Sequence, residues 1–248
     1  MKKKEVFLTE RDLELFTFLF KGKVSTVDQI HKHIFKGVRV QVVNRRLKKL
    51  CQIKAIRKGG FLYGKKARTH YSLTTVGLEY IKKQFEYGIG KVCRSDSIEH
   101  DLVLNDIRNV LEKKNEVSKL LSENELQCIE DISDDNELSP FVELNSDGVA
   151  QISKNNEQLY LALEYDASIK SSRRYSHKLT DYYKCHDVAG VLYIADKSIL
   201  TRLKNVEQEV CKRLNEGYKF FYSNLQNVLS ENKEILFVNQ EGLKIAIS

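Results

Sequence analysis

The sequence predicts an α+β chain in two parts, a basic helical half followed by an acidic α/β half. Charge is the first observation behind this. Residues 1–95 hold 23 Lys and Arg against 7 Asp and Glu, a balance of +16; residues 96–248 hold 18 against 27, a balance of −9, which leaves the chain at +7. A basic segment joined to an acidic one points to one part that grips a polyanion and another with a different task. Patterning is the second: apolar residues recur at helical spacing in the first half, whereas the second alternates helix-like stretches with short apolar strands. Composition is the third. The 248 residues are 42% hydrophobic with one Pro, enough for an ordinary core and unsuited to long linkers. No apolar run approaches twenty residues and no leader pattern opens the chain, so the expected location is cytoplasmic, with no membrane partner. Cys51, Cys93, Cys128, Cys185 and Cys211 are odd in number and scattered without zinc spacing, which reads as reduced thiols.

In order, Thr9-Glu-Arg-Asp12 opens a first helix with Leu13, Phe16, Leu19 and Phe20 inward, ending near Gly22. Ser25-Thr-Val-Asp28 repeats the signal for a short second helix. A third helix is expected over 38–51, with Val40, Val43, Leu47 and Leu50 as its buried stripe and Gln41, Asn44, Arg45, Lys48 and Lys49 turned away. A β-hairpin follows, its tip carrying Lys65, Lys66 and Arg68, and then a fourth helix over 75–85. Three helices, a basic hairpin and a closing helix resemble a winged helix-turn-helix domain, expected over residues 1–90. That resemblance implies base contacts from Gln41, Asn44 and Arg45, with phosphate contacts from Lys48, Lys49, Lys65, Lys66 and Arg68 on double-stranded DNA. His31-Lys-His33 imitates a metal motif, but residues i and i+2 of a helix point about 200° apart, so the pair reads as surface histidines.

The second part is expected over 96–248. A helix opens at Ser97, residues 115–124 read as a charged connection, Leu126 to Ile132 as a strand, and 131–137 as an acidic loop. A hairpin, a helix over 171–186, a buried strand around Leu192, a helix with Val206, Val210 and Leu214, and two closing strands complete the order. In a strand running from Leu159 to Lys170, Glu164, Asp166, Ser168 and Lys170 would share one face, with Asp147 meeting them across the hairpin. Carboxylates and a lysine gathered on one face suit a divalent-metal site acting on phosphate esters. The same alternation suits a solvated sheet face.

Asp147-Gly-Val, Glu164-x-Asp-x-Ser-x-Lys170 and Lys178-Leu-x-x-Tyr-Tyr183 resemble the core of the PD-(D/E)XK nucleases. More narrowly, the chain is similar to the MobC-type plasmid mobilisation relaxases and the related replication-relaxation proteins, which join a winged helix to a restriction-endonuclease-like α/β domain. The resemblance implies a metal-dependent DNA endonuclease, a relaxase nicking at an origin of transfer with Mg²⁺ or Mn²⁺. Asp147, Glu164 and Asp166 would be the metal ligands, and Lys170 or Lys178 the catalytic ammonium. His100 and Asp101, in the Glu-His-Asp-Leu element opening the domain's first helix, would be outer members of the site. Asp166 departs from the pattern, since most of these nucleases carry lysine there. Expected partners are origin-of-transfer-like duplex DNA, relaxosome or coupling proteins, and a second copy of the chain. The alternative is a transcriptional or replication regulator that binds DNA and keeps a degenerate nuclease-like domain. Tyr182 and Tyr183 would serve a covalent mechanism only if either escaped packing against the sheet.

Overall fold

The N-terminal residues build a small helical core closed by a hairpin. The computed structural model describes residues 6–63, 66–85, 92–128, 137–154, 157–230 and 234–248. In order these form α1 (Glu10–Gly22), β1 (Ser25–Thr26), α2 (Val27–His33), α3 (Val40–Gln52), β2 (Ile56–Tyr63), β3 (Lys66–Leu73) and α4 (Thr75–Ile81). A 3-10 turn, Lys82–Gln84, ends the fourth helix earlier than expected. Then come α5 (Ile98–Leu111), β4 (Val117–Ser122), α6 (Glu123–Cys128), α7 (Ser139–Glu143), β5 (Gly148–Lys154), β6 (Glu157–Asp166), α8 (Ser172–Lys184), β7 (Val191–Ala195), α9 (Lys197–Leu214), β8 (Phe220–Asn224), α10 (Leu225–Val228), β9 (Ile235–Val238) and β10 (Lys244–Ile247). The chain is mixed α+β and divides into two compact units, residues 1–105 with 127–131, and 106–126 with 132–248.

In the first unit, Val43, Leu47 and Leu50 of α3 are fully buried with Leu15, Phe16, Leu19 and Phe20 of α1. Val40 is the exception in the expected stripe. It is the first residue of α3 and remains 39% exposed, because the helix begins there rather than at Val38. Asp12 ties the two helices together. Its carboxylate accepts from the Thr9 amide (2.7 Å) and hydroxyl (2.8 Å), and takes a forked contact from Arg46 of α3. His31 meets the Val38 carbonyl at 2.6 Å and His33 packs at a tilt against Phe18, so both serve the local fold. Strands β1, β3 and β2 form a three-stranded antiparallel sheet. Gly77 of α4 lies where a Cβ would come within 2.2 Å of the Ala55 carbonyl, so only glycine lets this helix close against β2.

The second unit is a seven-stranded mixed sheet in the order β10-β9-β8-β7-β6-β5-β4. β6, β7 and β8 run parallel through crossovers containing α8 and α9; the remaining neighbours are antiparallel. Two expectations fail here. Residues 117–122 form β4 rather than a connection, because Val117, Leu120 and Leu121 bury while the charges stay at its outer end. Leu126–Cys128 close α6 instead of opening a strand; the acidic stretch at 131–136 lies outside the described residues. Register pairs Glu164 with Tyr193 and Tyr193 with Tyr222, so all three share one face of the sheet. Glu207 of α9 is fully buried and accepts from Tyr183 (2.7 Å), Tyr222 (2.8 Å), Gln240 (2.6 Å) and the Phe220 amide (3.3 Å), which anchors α9 to β8.

Burial opposes ionisation of Asp12, but Arg46 and the Thr9 donors outweigh it and hold the carboxyl below its ordinary 3.8. A depressed carboxylate contributes stability that is complete above its unfolded value and is lost as pH falls through the folded one. Asp12→Ala is therefore expected to cost about 3 kcal/mol at pH 7 by stranding Arg46. The difference from wild type should shrink below pH ~4; urea titrations at pH 7 and pH 3 measure both.

Candidate functional site

The mouth of the β5–β6 hairpin gathers the acidic residues. Asp147 stands one residue before the Gly148–Leu163 pair, and Glu164 one residue beyond it on the other strand. Asp147 Oδ2 accepts from the Tyr165 amide at 2.7 Å, which fixes that carboxylate across the hairpin. It is half-buried, whereas Glu164 is completely buried and Asp166 nearly so. A solvated face is thereby excluded: α8 covers these side chains. Ser171 caps that helix, accepting from the Arg174 amide at 3.3 Å. Lys178 and Tyr182, four residues apart on one face of α8, both reach Glu164, the ammonium at Oε2 and the hydroxyl at Oε1. Tyr182 is also 2.7 Å from Ser146 Oγ, which links the helix to the strand mouth.

Asp166 takes a hydrogen bond from Tyr193 on the neighbouring parallel strand and lies 3.5 Å from Lys170 Nζ. β6 ends at Asp166, so Ser168 and Lys170 do not continue the strand face as the alternation implied. Lys170 approaches from the turn beyond, with Nζ 3.4 Å from Ser168 Oγ. His100 and Asp101 occupy the first turn of α5 in the first unit, 3.4 Å apart.

Burial pushes the Glu164 carboxyl up and Asp147 adds to that push, while the Lys178 ammonium pulls it back toward the charged form. Burial works against the charged Lys178 too, but Glu164 and Asp147 outweigh it and raise its pKa. The Tyr182 hydroxyl is raised by burial and by Glu164, and Tyr183 by burial and Glu207, so both phenols stay protonated and neither is poised as a nucleophile. Lys178 and Tyr182 line a cleft of about 720 Å³ whose rim includes Asn145, Asp181, Lys184 and His186. Lys178 also borders a second opening with Arg173, Arg174 and His177. The cluster is therefore a sealed carboxylate beneath a lysine whose side chain is 35% exposed. Ser146, Tyr182 and Tyr193 are the members that sequence reasoning missed as hydrogen-bonding partners. Only the +4 spacing from Lys178 to Tyr182 hinted at any of them.

In the first unit, Gln41, Asn44, Arg45, Lys48 and Lys49 are all exposed on one side of α3, and Lys66 and Arg68 are exposed on β3. Lys65 lies outside the described residues.

A model of the replication-relaxation family matches residues 16–191, well over half of the chain. The chain belongs to the replication-relaxation family. No curated protein and no solved structure matches it. Membership carries a role in replication or mobilisation, and the match spans both the exposed α3 face and the acidic cluster. Among the described residues of this replication-relaxation protein, no helix is long and apolar enough to cross a membrane.

Removing one partner of the buried pair should hurt more than removing both charges. Lys178→Met alone is expected to cost about 3–5 kcal/mol by leaving Glu164 unpaired, whereas the Glu164→Gln/Lys178→Met double variant recovers much of that loss. A denaturant double-mutant cycle reads the coupling directly.

Proposed function

We propose that this replication-relaxation protein is a metal-dependent DNA-nicking relaxase of plasmid or mobile-element mobilisation. Its basic unit would hold an origin-of-transfer-like duplex while the carboxylate cluster of the second unit serves strand scission. The observation that carries the reading is the convergence of Asp147 and Glu164 from the two strands of one hairpin, with Asp166 and Lys178 beside them. We read the first unit as a winged helix. Gln41, Asn44 and Arg45 would then meet base edges, and Lys48, Lys49, Lys65, Lys66 and Arg68 the phosphates. The second unit is read as a PD-(D/E)XK nuclease-like domain.

The donors suit Mg²⁺ or Mn²⁺ in a sparse form. Among the described residues no three His, Cys, Asp or Glu side chains gather as a ligand set. The chain would offer Asp147 and Glu164, with Asp166 at the edge, leaving other positions to water and phosphate oxygens, as Mg²⁺ prefers. When bound, such an ion acidifies a water and neutralises charge developing on phosphorus. Asp147, half-exposed and held by the Tyr165 amide, is the carboxylate within easiest reach. Glu164 becomes available as Lys178 turns from it toward a phosphate, where the ammonium stabilises the extra negative charge. Tyr182 keeps its proton and holds the other Glu164 oxygen in place.

Saturation of Glu164 by Lys178 and Tyr182 also favours a second reading, in which the ammonium replaces a metal and the protein is a DNA-binding regulator. Incubation with supercoiled plasmid carrying the cognate region and Mg²⁺ or Mn²⁺ separates the two. Nicking is expected from wild type. It should fall at least on the order of 100-fold in Asp147→Ala and Glu164→Ala with duplex binding retained. Duplex binding by wild type without nicking would establish the regulator.

The α3 assignment has its own test. Lys48→Ala and Lys49→Ala should each weaken binding to every sequence and lower the slope of log K against log salt by about 1. Gln41→Ala or Asn44→Ala should instead relax sequence preference; fluorescence anisotropy across a salt series distinguishes them.

A further inference from the structure

The first unit has a second cationic surface, on the face of its sheet opposite the helical core. Ile56, Tyr71 and Leu73 point into that core. The alternate residues therefore point away from it, and register places Arg57 opposite Ser72 and Gly59 opposite His70. Arg57, His70 and Ser72 line a cavity of about 430 Å³ together with Lys23 and Val24, from the turn after α1, and residues 92–95. Its permanent charges are Lys23, Arg57 and Arg94, and among the described residues no carboxylate lines it.

Three polar atoms in this wall are buried without a hydrogen-bond partner: His70 Nδ1, Ser72 Oγ and Ser95 Oγ. His70 and Ser72 are more than nine-tenths buried. Leaving buried polar groups unsatisfied is costly, so their collection around one cavity calls for an occupant. Gly59 contributes by lacking a side chain, since a Cβ there would come within 2.4 Å of the His70 ring. The imidazole lies across that bare backbone and beside Phe61. Burial, and then the Arg57 guanidinium, lower the His70 pKa, so the ring is neutral at pH 7 and can donate or accept through Nδ1 according to its tautomer.

We propose that this cavity binds a phosphate group, with Arg57 and Arg94 supplying charge and His70, Ser72 and Ser95 supplying short polar contacts. With no acid among the described lining residues, the Arg57 and Arg94 guanidiniums select a multiply charged anion. A guanidinium is suited to grip two oxygens at once, and the hydroxyls and imidazole match the remaining oxygens. A volume of about 430 Å³ is ample for a nucleotide-sized ligand. The phosphate has two sources of the same chemistry, a free phosphorylated small molecule or the 5′-terminal phosphate of a DNA strand. The site lies on the sheet face away from α3, so it is independent of the nicking proposal and of duplex recognition by that helix.

The full-length protein should be titrated calorimetrically with inorganic phosphate, with adenosine monophosphate, and with a short single-stranded oligonucleotide carrying either a 5′-phosphate or a 5′-hydroxyl. Saturable binding of at least one phosphate-bearing probe is expected, weakened about tenfold or more in Arg57→Gln and in Arg94→Gln. Preference for the 5′-phosphorylated over the 5′-hydroxyl oligonucleotide, beyond adenosine monophosphate, assigns the site to a strand end. Equal or tighter binding of the mononucleotide assigns it to a free ligand. Imidazole resonances followed during the phosphate titration give a readout on the wild type alone, with His70 expected to shift saturably. Absence of saturable binding by all the phosphate probes, an unmoved His70, or binding unchanged in both arginine variants overturns the assignment.

Discussion

The second unit depends on a charge that it has removed from water. Glu164 sits in an internal strand, fully covered, and an isolated carboxylate in that position would cost several kcal/mol. Lys178 and Tyr182 meet that cost from a single face of α8, and Ser146 extends the chain of contacts to the hairpin mouth. One buried acid therefore fixes the Lys178–Tyr182 face of α8 against the sheet and, through Ser146, how the start of β5 is held against it. A set of apolar side chains could pack the same layer with equal or better stability. The ion pair is thus better explained by chemistry or specificity than by cohesion.

Glu207 supplies the internal comparison. It too is fully buried, on a helix packed against the same sheet, and burial raises its pKa. Its donors are tyrosine hydroxyls, an amide side chain and a backbone N–H, all neutral. That arrangement satisfies an acid while leaving it nothing to exchange. Glu164 instead faces a lysine that reaches a cleft, with the half-exposed Asp147 close enough to perturb it. A buried carboxylate tied to a cation at the edge of an opening can change partners; one tied to neutral donors in a closed layer cannot. The two acids thereby differ in whether their partners can be exchanged.

Much of this was legible in the residues, and the parts that were not share a cause. Thr9 and Asp12, Ser171 and the Val43-Leu47-Leu50 stripe are local signals whose physics is complete within one turn or two, and they fell where expected. The meeting of Asp147 with Glu164 was likewise readable, because a hairpin brings sequence neighbours together. Tyr193 was not: its place beside Asp166 requires the register of two parallel strands separated by a whole helix. Nor could alternation distinguish a wet sheet face from one roofed by α8, since both show polar residues at every second position. β4 was overlooked because charged residues at its start masked the buried Leu120 and Leu121.

The charge of the basic half also resolves into two surfaces rather than one. α3 presents Gln41, Asn44, Arg45, Lys48 and Lys49 to solvent, while Lys23, Arg57 and Arg94 surround the cavity on the sheet's far face. The apolar core built on Leu47, Leu50 and Ile56 lies behind α3, and Arg57, Ser72 and His70 stand on the sheet face turned away from Ile56. A rigid duplex lying against α3 has no reason to reach around that core, so the positive charge at the cavity does not follow from duplex recognition. The two surfaces also differ in kind. Long, solvated side chains on α3 suit an extended polyanion whose contacts are numerous and individually weak. Short hydroxyls and a buried imidazole around the cavity suit a compact ligand whose oxygens each find a fixed partner. A strongly basic segment can thus divide its charge between holding a polymer and selecting a single group.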